Sequence, residues 1–153
     1  MGGNEAVKIE EYLAENGTLT YTNVGFSMWP LLREGRDMFT LRKKECERCK
    51  RGDVVLYRRP PNQYVLHRVI EVRENDYVIL GDNCIAKEYG IIDADILGVM
   101  MGFIRSGHEH SVDGWGYRVY TFVILHTIGI RTFTKRVISW IIRKLRFIFQ
   151  AVR

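Results

Sequence analysis

The segment Val24-Gly25-Phe26-Ser27-Met28-Trp29-Pro30-Leu31-Leu32 sets a serine two residues after a glycine and three before a proline. A hydroxyl becomes an effective nucleophile when a base takes its proton, and attack on a peptide needs close approach of the substrate backbone. Gly25 removes a side chain near Ser27, and Pro30 favours a turn or the first position of a short helix just beyond it. The candidate base is His67, in Tyr64-Val65-Leu66-His67-Arg68-Val69-Ile70. Read as a strand, this run puts His67 between Val65 and Val69 on one face. An imidazole titrates near neutrality and suits proton transfer. Ile79-Leu80-Gly81-Asp82-Asn83, followed by Glu88 and by Ile92-Asp93-Ala94-Asp95-Ile96-Leu97-Gly98, supplies acids. An acid here could fix the tautomer of His67 and stabilise the imidazolium formed as Ser27 attacks. Each segment also has a plain structural reading: a serine ending a strand, a histidine satisfied in a core, and a Gly-Asp-Asn turn.

The elements that must hold these residues are mostly strands. Runs rich in Val, Ile, Leu, Thr and Tyr recur at Thr18–Val24, Met38–Arg42, Asp53–Arg58, Tyr64–Arg73, Tyr77–Leu80 and Ile96–Arg105, between Gly, Asp and Asn punctuation. Pro60-Pro61-Asn62 and Glu74-Asn75-Asp76 are turn chemistry suited to hairpins. Before the strands, Asn4 to Asn16 predicts a short helix with Ala6, Ile9 and Leu13 along one side and Gly17 ending it. The expected organisation is an N-terminal helix over 1–17, a mainly β catalytic domain of coiled antiparallel sheet over 18–106, a linker over 107–118, and a basic, apolar helical tail over 119–153.

At 153 residues, 46% of them hydrophobic and 27% charged, with only 3 prolines, the chain can bury a core and is neither a collagen nor a disordered tail. Three cysteines, an odd and low count, argue against a disulfide framework. Cys46-x-x-Cys49 has the spacing of half a zinc site, but Cys84, His108 and His110 are poorly spaced to complete it. No metal or other cofactor is expected. Glu5, Glu10, Glu11 and Glu15 break the apolar stretch that a signal peptide needs.

The formal charge of +5 is unevenly spread. All 18 acidic residues lie at or before Asp113, while Arg131, Lys135, Arg136, Arg143, Lys144, Arg146 and Arg153 follow, so residues 1–130 carry −2 and residues 131–153 carry +7. In the tail, Val119 to Ile130 is almost wholly apolar but short of the roughly 20 residues that cross a bilayer. Beyond it Phe133, Val137, Ile141, Leu145, Ile148 and Val152 recur at helical spacing, Arg136, Arg143, Arg146 and Arg153 form a second stripe, and Trp140, Phe147 and Phe149 add aromatic bulk. Such a helix suits an anionic membrane surface, with its apolar side among the headgroups. It would suit a partner protein or the β body too. The breadth of the apolar side argues against nucleic acid.

Taken in order, Gly25-x-Ser27-Met28-x-Pro30, Gly52-Asp53-Val54-Val55, His67-Arg68-Val69-Ile70, Gly81-Asp82-Asn83 and Asp95-Ile96-Leu97-Gly98 resemble the successive motifs of type I signal peptidases, whose superfamily includes the self-cleaving SOS repressors. The resemblance spans roughly Thr18 to Arg105. It implies a signal peptidase/LexA-like fold and a serine endopeptidase that cleaves a precursor or leader peptide after small residues. His67 at the base position is similar to the Ser/His branch of endoplasmic-reticulum, archaeal and sporulation-type enzymes rather than to the Ser/Lys enzymes. A lysine base would have to be Lys43, Lys44 or Lys50, in a charged loop where lysine stays protonated. Glu88 falls where the branch usually carries Asp, and Asp82 is the acid of the motif itself, so either completes the site. Two departures stand out. The first Gly-Asp pair is interrupted as Gly35-Arg36-Asp37, and no membrane-spanning stretch precedes Ser27. The expected placement is therefore peripheral, on the cytoplasmic face of a membrane through residues 119–153. The competing expectation is a catalytically silent membrane- or partner-binding module on the same scaffold.

Overall fold

The computed structural model describes residues 3–61 and 63–151, with side chains from residue 9 to residue 146 except 62 and 145. Of the residues singled out above, Asn62, Val152 and Arg153, and the side chains of Asn4, Glu5, Ala6, Leu145, Phe147, Ile148 and Phe149, lie outside the described set. The chain forms an open, mainly antiparallel eight-stranded sheet with three helices. Helix α1 (Gly3–Asn16) is followed by β1 (Thr18–Thr22), β2 (Met38–Lys43), β3 (Val54–Arg59), β4 (Gln63–Val72), β5 (Tyr77–Leu80), β6 (Glu88–Ile91), β7 (Ile96–Arg105), β8 (His108–Ser111), α2 (Trp115–His126) and α3 (Ile128–Ala151). The order across the sheet is β1-β2-β7-β3-β4-β5-β6, with β8 paired to β7.

Register shifts at Thr40/Leu41, Leu56/Tyr57, Val69/Glu71 and Tyr77/Ile79 mark bulges or irregularities that coil the sheet. Strand β3 accordingly buries both faces, with Val54, Val55, Leu56 and Tyr57 all inside. Val54 and Leu56 join Leu13 of α1, Met28, Leu31, Leu32, Leu41, Leu66 and Met100 in one cluster. Val55 and Tyr57 join Val69, Tyr77, Ile79, Ile96 and Val99 in another. Met28 and Leu32, nearly or wholly inaccessible, plug the first cluster, so the turn after Ser27 is held by the core itself.

One expectation is corrected. The stretch 107–118, expected to link body and tail, carries β8 and the start of α2. Ser106 and Gly107, at φ 51° and 79°, form a tight two-residue hairpin between β7 and β8. The helical tail consists of two helices, and the first belongs to the body. Tyr117 and Tyr120 pack on the first core cluster, and Leu125 and Ile128 cover Ile70, Val78 and Leu80. At Gly52, whose φ is +105°, an added Cβ would lie 3.1 Å from Thr121 Cγ2, so α2 passes directly over that turn.

What ties α2 down is an ion pair without access to solvent. Arg68 donates from Nε to Asp82 Oδ1 at 2.8 Å and from Nη2 to Asp82 Oδ2 at 2.7 Å. Its Nη1 donates to Gly52 O at 2.8 Å, Tyr117 OH at 3.2 Å and Thr121 Oγ1 at 3.1 Å. Tyr120 OH donates to Asp82 Oδ2 at 3.0 Å. The two side chains are 0% and 1% exposed. Removing one member leaves the other charge buried and uncompensated, so Asp82→Ala is expected to lose about 3–5 kcal/mol of stability. Tyr120→Phe, which deletes one hydrogen bond to the carboxylate, is expected to lose about 1.5 kcal/mol. Urea unfolding midpoints check both, and equal losses would contradict a central role for the ion pair.

Candidate active site

Along β4 successive side chains leave on opposite faces. His67 therefore points away from its neighbour Arg68, into the side of the sheet that holds Tyr57 and Glu88. Its Nδ1 lies 3.3 Å from Glu88 Oε1 and 3.4 Å from Tyr57 OH. Its Nε2 faces Cys84 Sγ at 3.9 Å. Glu88 sits at the start of β6, where Arg59 Nη1 also donates to its Oε1 at 3.2 Å. Burial lowers the His67 pKa below the ordinary histidine value, with Glu88 pulling in the opposite direction and Arg59 adding to the lowering. At neutral pH the ring is a neutral base. With Nδ1–H donated to Glu88, the lone pair is on Nε2.

The turn bearing Ser27 is fastened to the Gly81-Asp82-Asn83 loop. Asn83 N–H donates to Ser27 O at 2.7 Å, and Asn83 Nδ2 donates to Phe26 O at 3.0 Å. Gly81 lies at the junction. A Cβ there would be 2.8 Å from Ser27 O, 2.8 Å from His67 Nε2 and 2.7 Å from Cys84 Sγ. Ser27 O and His67 Nε2 are thus at most twice that first distance apart, and only glycine leaves room between them. Among the described residues neither the Ser27 hydroxyl nor its backbone N–H makes a hydrogen bond.

On the other side, the Ser27 loop is closed by Asp37, which is 0% exposed. Its Oδ2 accepts from Arg33 N–H at 3.0 Å and from Arg36 Nη2 at 2.8 Å, and its Oδ1 accepts from Arg36 Nε at 2.6 Å. Arg36, the residue that interrupts the Gly-Asp pair, therefore clamps the acid it precedes. Between the segment leading to Ser27 and the segment leading to His67 lies a cavity of about 100 Å³, lined by Tyr21, Val24, Phe39, Leu56, Tyr64 and Leu66 among others.

The structure brings Ser27, His67 and Glu88 to one locus. It assigns Asp82 elsewhere: both carboxylate oxygens are occupied by Arg68, one also by Tyr120, on the opposite face of β4 from the imidazole. Tyr57 and Cys84 are the neighbours of His67 that the sequence reading passed over. Tyr57 faces His67 from β3, a cross-strand placement set by the β3–β4 register, in which Val65 opposes Tyr57 and His67 opposes Val55. The thiol of Cys84 has its pKa raised, by burial first, so it stays protonated. Of the remaining candidates, Lys44 pairs with Asp93 at 3.1 Å, Lys50 is exposed, and Cys49 is buried in the second core cluster with its pKa pushed up to about 11 by burial. Among the described residues no group of three His, Cys, Asp or Glu side chains could hold a metal ion.

The packing at Gly81 is open to a direct check. Gly81→Ala forces the Ser27 carbonyl and the imidazole apart, so any chemistry that needs both is expected to fall by about 10²-fold. The fold, read by circular dichroism, should persist. Neither the comparison with family models nor the comparison with curated proteins finds a match for this chain.

Proposed function

We propose that the chain is a serine endopeptidase of signal-peptidase-like type, on a signal peptidase/LexA-like scaffold, that cleaves a precursor or leader peptide. The observation that carries this reading is the convergence at Gly81. The backbone of Ser27 and Nε2 of His67 meet there, while Glu88 occupies the far nitrogen of the same ring. Ser27 Oγ rotates to Nε2, gives up its proton and attacks the scissile carbonyl. The backbone N–H of Ser27 donates to the oxyanion that forms. His67 returns the proton to the departing amine, leaving an acyl-enzyme that water hydrolyses by the same route in reverse. Glu88 orients the ring and stabilises the imidazolium, while Asp82 secures the loop that holds Ser27.

The substrate side has support as well. Strand β1 ends the sheet, so its free edge can take an extended peptide by strand addition. The cavity beside it is smaller than the ~150 Å³ apolar cavity that admits benzene, which favours a small aliphatic side chain before the cut.

Three outcomes test the assignment. Ser27→Ala and His67→Ala are expected to abolish cleavage of precursors or of a peptide library, with Cys84→Ala retaining it. Equal cleavage by all three variants and wild type would remove the mechanism in favour of the silent-module alternative. Glu88→Gln is expected to lower kcat by about 10²-fold with little change in melting temperature, whereas Asp82→Asn acts mainly on melting temperature. The base must be unprotonated, so kcat/KM rises with pH through a midpoint below the usual histidine value. Glu88→Gln removes the influence that raises this pKa, so the midpoint should move lower still. A midpoint above the usual value in wild type would contradict a buried imidazole as base.

A further inference from the structure

The proposed chemistry leaves α3 unused, yet α3 grips the loop on which that chemistry depends. Arg131 donates from Nη1 to the Asp82 carbonyl and from Nη2 to Ile124 O at 3.2 Å. One turn later, Lys135 Nζ donates to Asn83 O at 2.6 Å and also to Asn83 Oδ1. Asn83 is the residue whose N–H and Nδ2 hold the carbonyls of Ser27 and Phe26. A path of two consecutive side-chain and backbone contacts therefore leads from the helix to the Ser27 turn.

Among the described residues nothing covers the outward side of α3. Ile130, Phe133, Val137, Trp140 and Ile141, spaced i, i+3, i+7, i+10 and i+11, form one stripe, and even its least accessible member is 38% exposed. Arg136 and Arg143, seven residues apart, flank the stripe, and Lys144 Nζ sits 4.9 Å from the Trp140 ring centre. No acidic residue follows Asp113. Among the described residues no helix is long and apolar enough to cross a membrane. The charge selects the occupant. A second copy would bring a second set of cations to the same stripe, whereas an anionic phospholipid surface offers apolar depth and negative headgroups together.

We infer that α3 lies on an anionic phospholipid surface along its Ile130–Phe133–Val137–Trp140–Ile141 stripe, and that through Lys135 and Asn83 this seating stiffens the Ser27 turn. The lipid contact stands independently of the peptidase reading; its effect on catalysis rests on that reading.

The test uses the full chain with vesicles of phosphatidylcholine, alone or mixed with phosphatidylglycerol. Co-sedimentation is expected with the mixed vesicles only, weakening at high salt. Affinity should fall at least about tenfold both in Arg136→Glu/Arg143→Glu and in Phe133→Ser/Trp140→Ser. No binding to mixed vesicles, or binding that both variants leave unchanged, overturns the proposal. A lipid-independent dimer abolished by Phe133→Ser/Trp140→Ser assigns the stripe to a second copy and overturns it too. Hydrogen exchange over residues 81–85 reads the coupling without any peptidase assay. Mixed vesicles are expected to slow it about tenfold in wild type and not in Lys135→Met, which should still bind them. Exchange unchanged in wild type, or slowed equally in Lys135→Met, overturns the coupling. A protein that binds vesicles and shows the exchange effect yet cleaves nothing would refute the peptidase reading alone.

Discussion

The buried pair of Arg68 and Asp82 is the constraint on which the rest of the structure turns. Two charges at 0% and 1% exposure are stable only when every donor and acceptor around them is matched. Meeting that condition draws together the turn at Gly52, the Gly81–Asn83 loop and two tyrosines and a threonine of α2. Arg68 follows His67 directly on β4, and Asp82 precedes Asn83, which carries the Ser27 turn. A single electrostatic match thus fixes the strand of His67 and the Ser27 turn relative to each other, while staying on the opposite face of β4 from the imidazole.

Around the imidazole the electrostatics are gentler. His67 is buried but not sealed, and its charge is opposed by desolvation while Glu88 favours it. Glu88 is itself shared with Arg59, which tempers its hold on the ring. The result is an imidazole kept neutral without being locked, whose Nε2 lies close to the Ser27 carbonyl across Gly81. The thiol of Cys84, kept protonated by burial, completes a neutral wall around Nε2.

Much of the sheet could be read from the residues, because alternating apolar runs and turn chemistry report local structure directly. Which of Asp82 and Glu88 lies beside the His67 ring could not. It depends on which face of β4 each acid meets, a fact of strand register and loop path that spacing does not encode. Strand β8 escaped notice because His108-Glu109-His110-Ser111 is wholly exposed and shows no alternation, although Ser106-Gly107 was a hairpin signal. Strand β6 is four residues long with Gly90 inside it, below the length at which period-two patterning is visible. The docking of α2 was hidden for a different reason: Tyr117 fell in the expected linker and Val119–Ile130 is apolar nearly all round, and only the buried guanidinium that Tyr117 and Thr121 meet explains which side faces inward.

Strand β7 has a consequence for how the molecule comes into being. It is inserted between β2, which continues from the Ser27 turn, and β3, which pairs with the strand of His67. During synthesis β1–β2 and β3–β4 can close as local hairpins before residues 96–105 leave the ribosome, and the sheet between β2 and β3 is completed only when β7 enters. Long-range strand insertion of this kind is slow compared with hairpin closure. The two hairpins are therefore set side by side by one late strand, so the arrangement around Ser27 and His67 is completed in a single late step rather than growing with chain length.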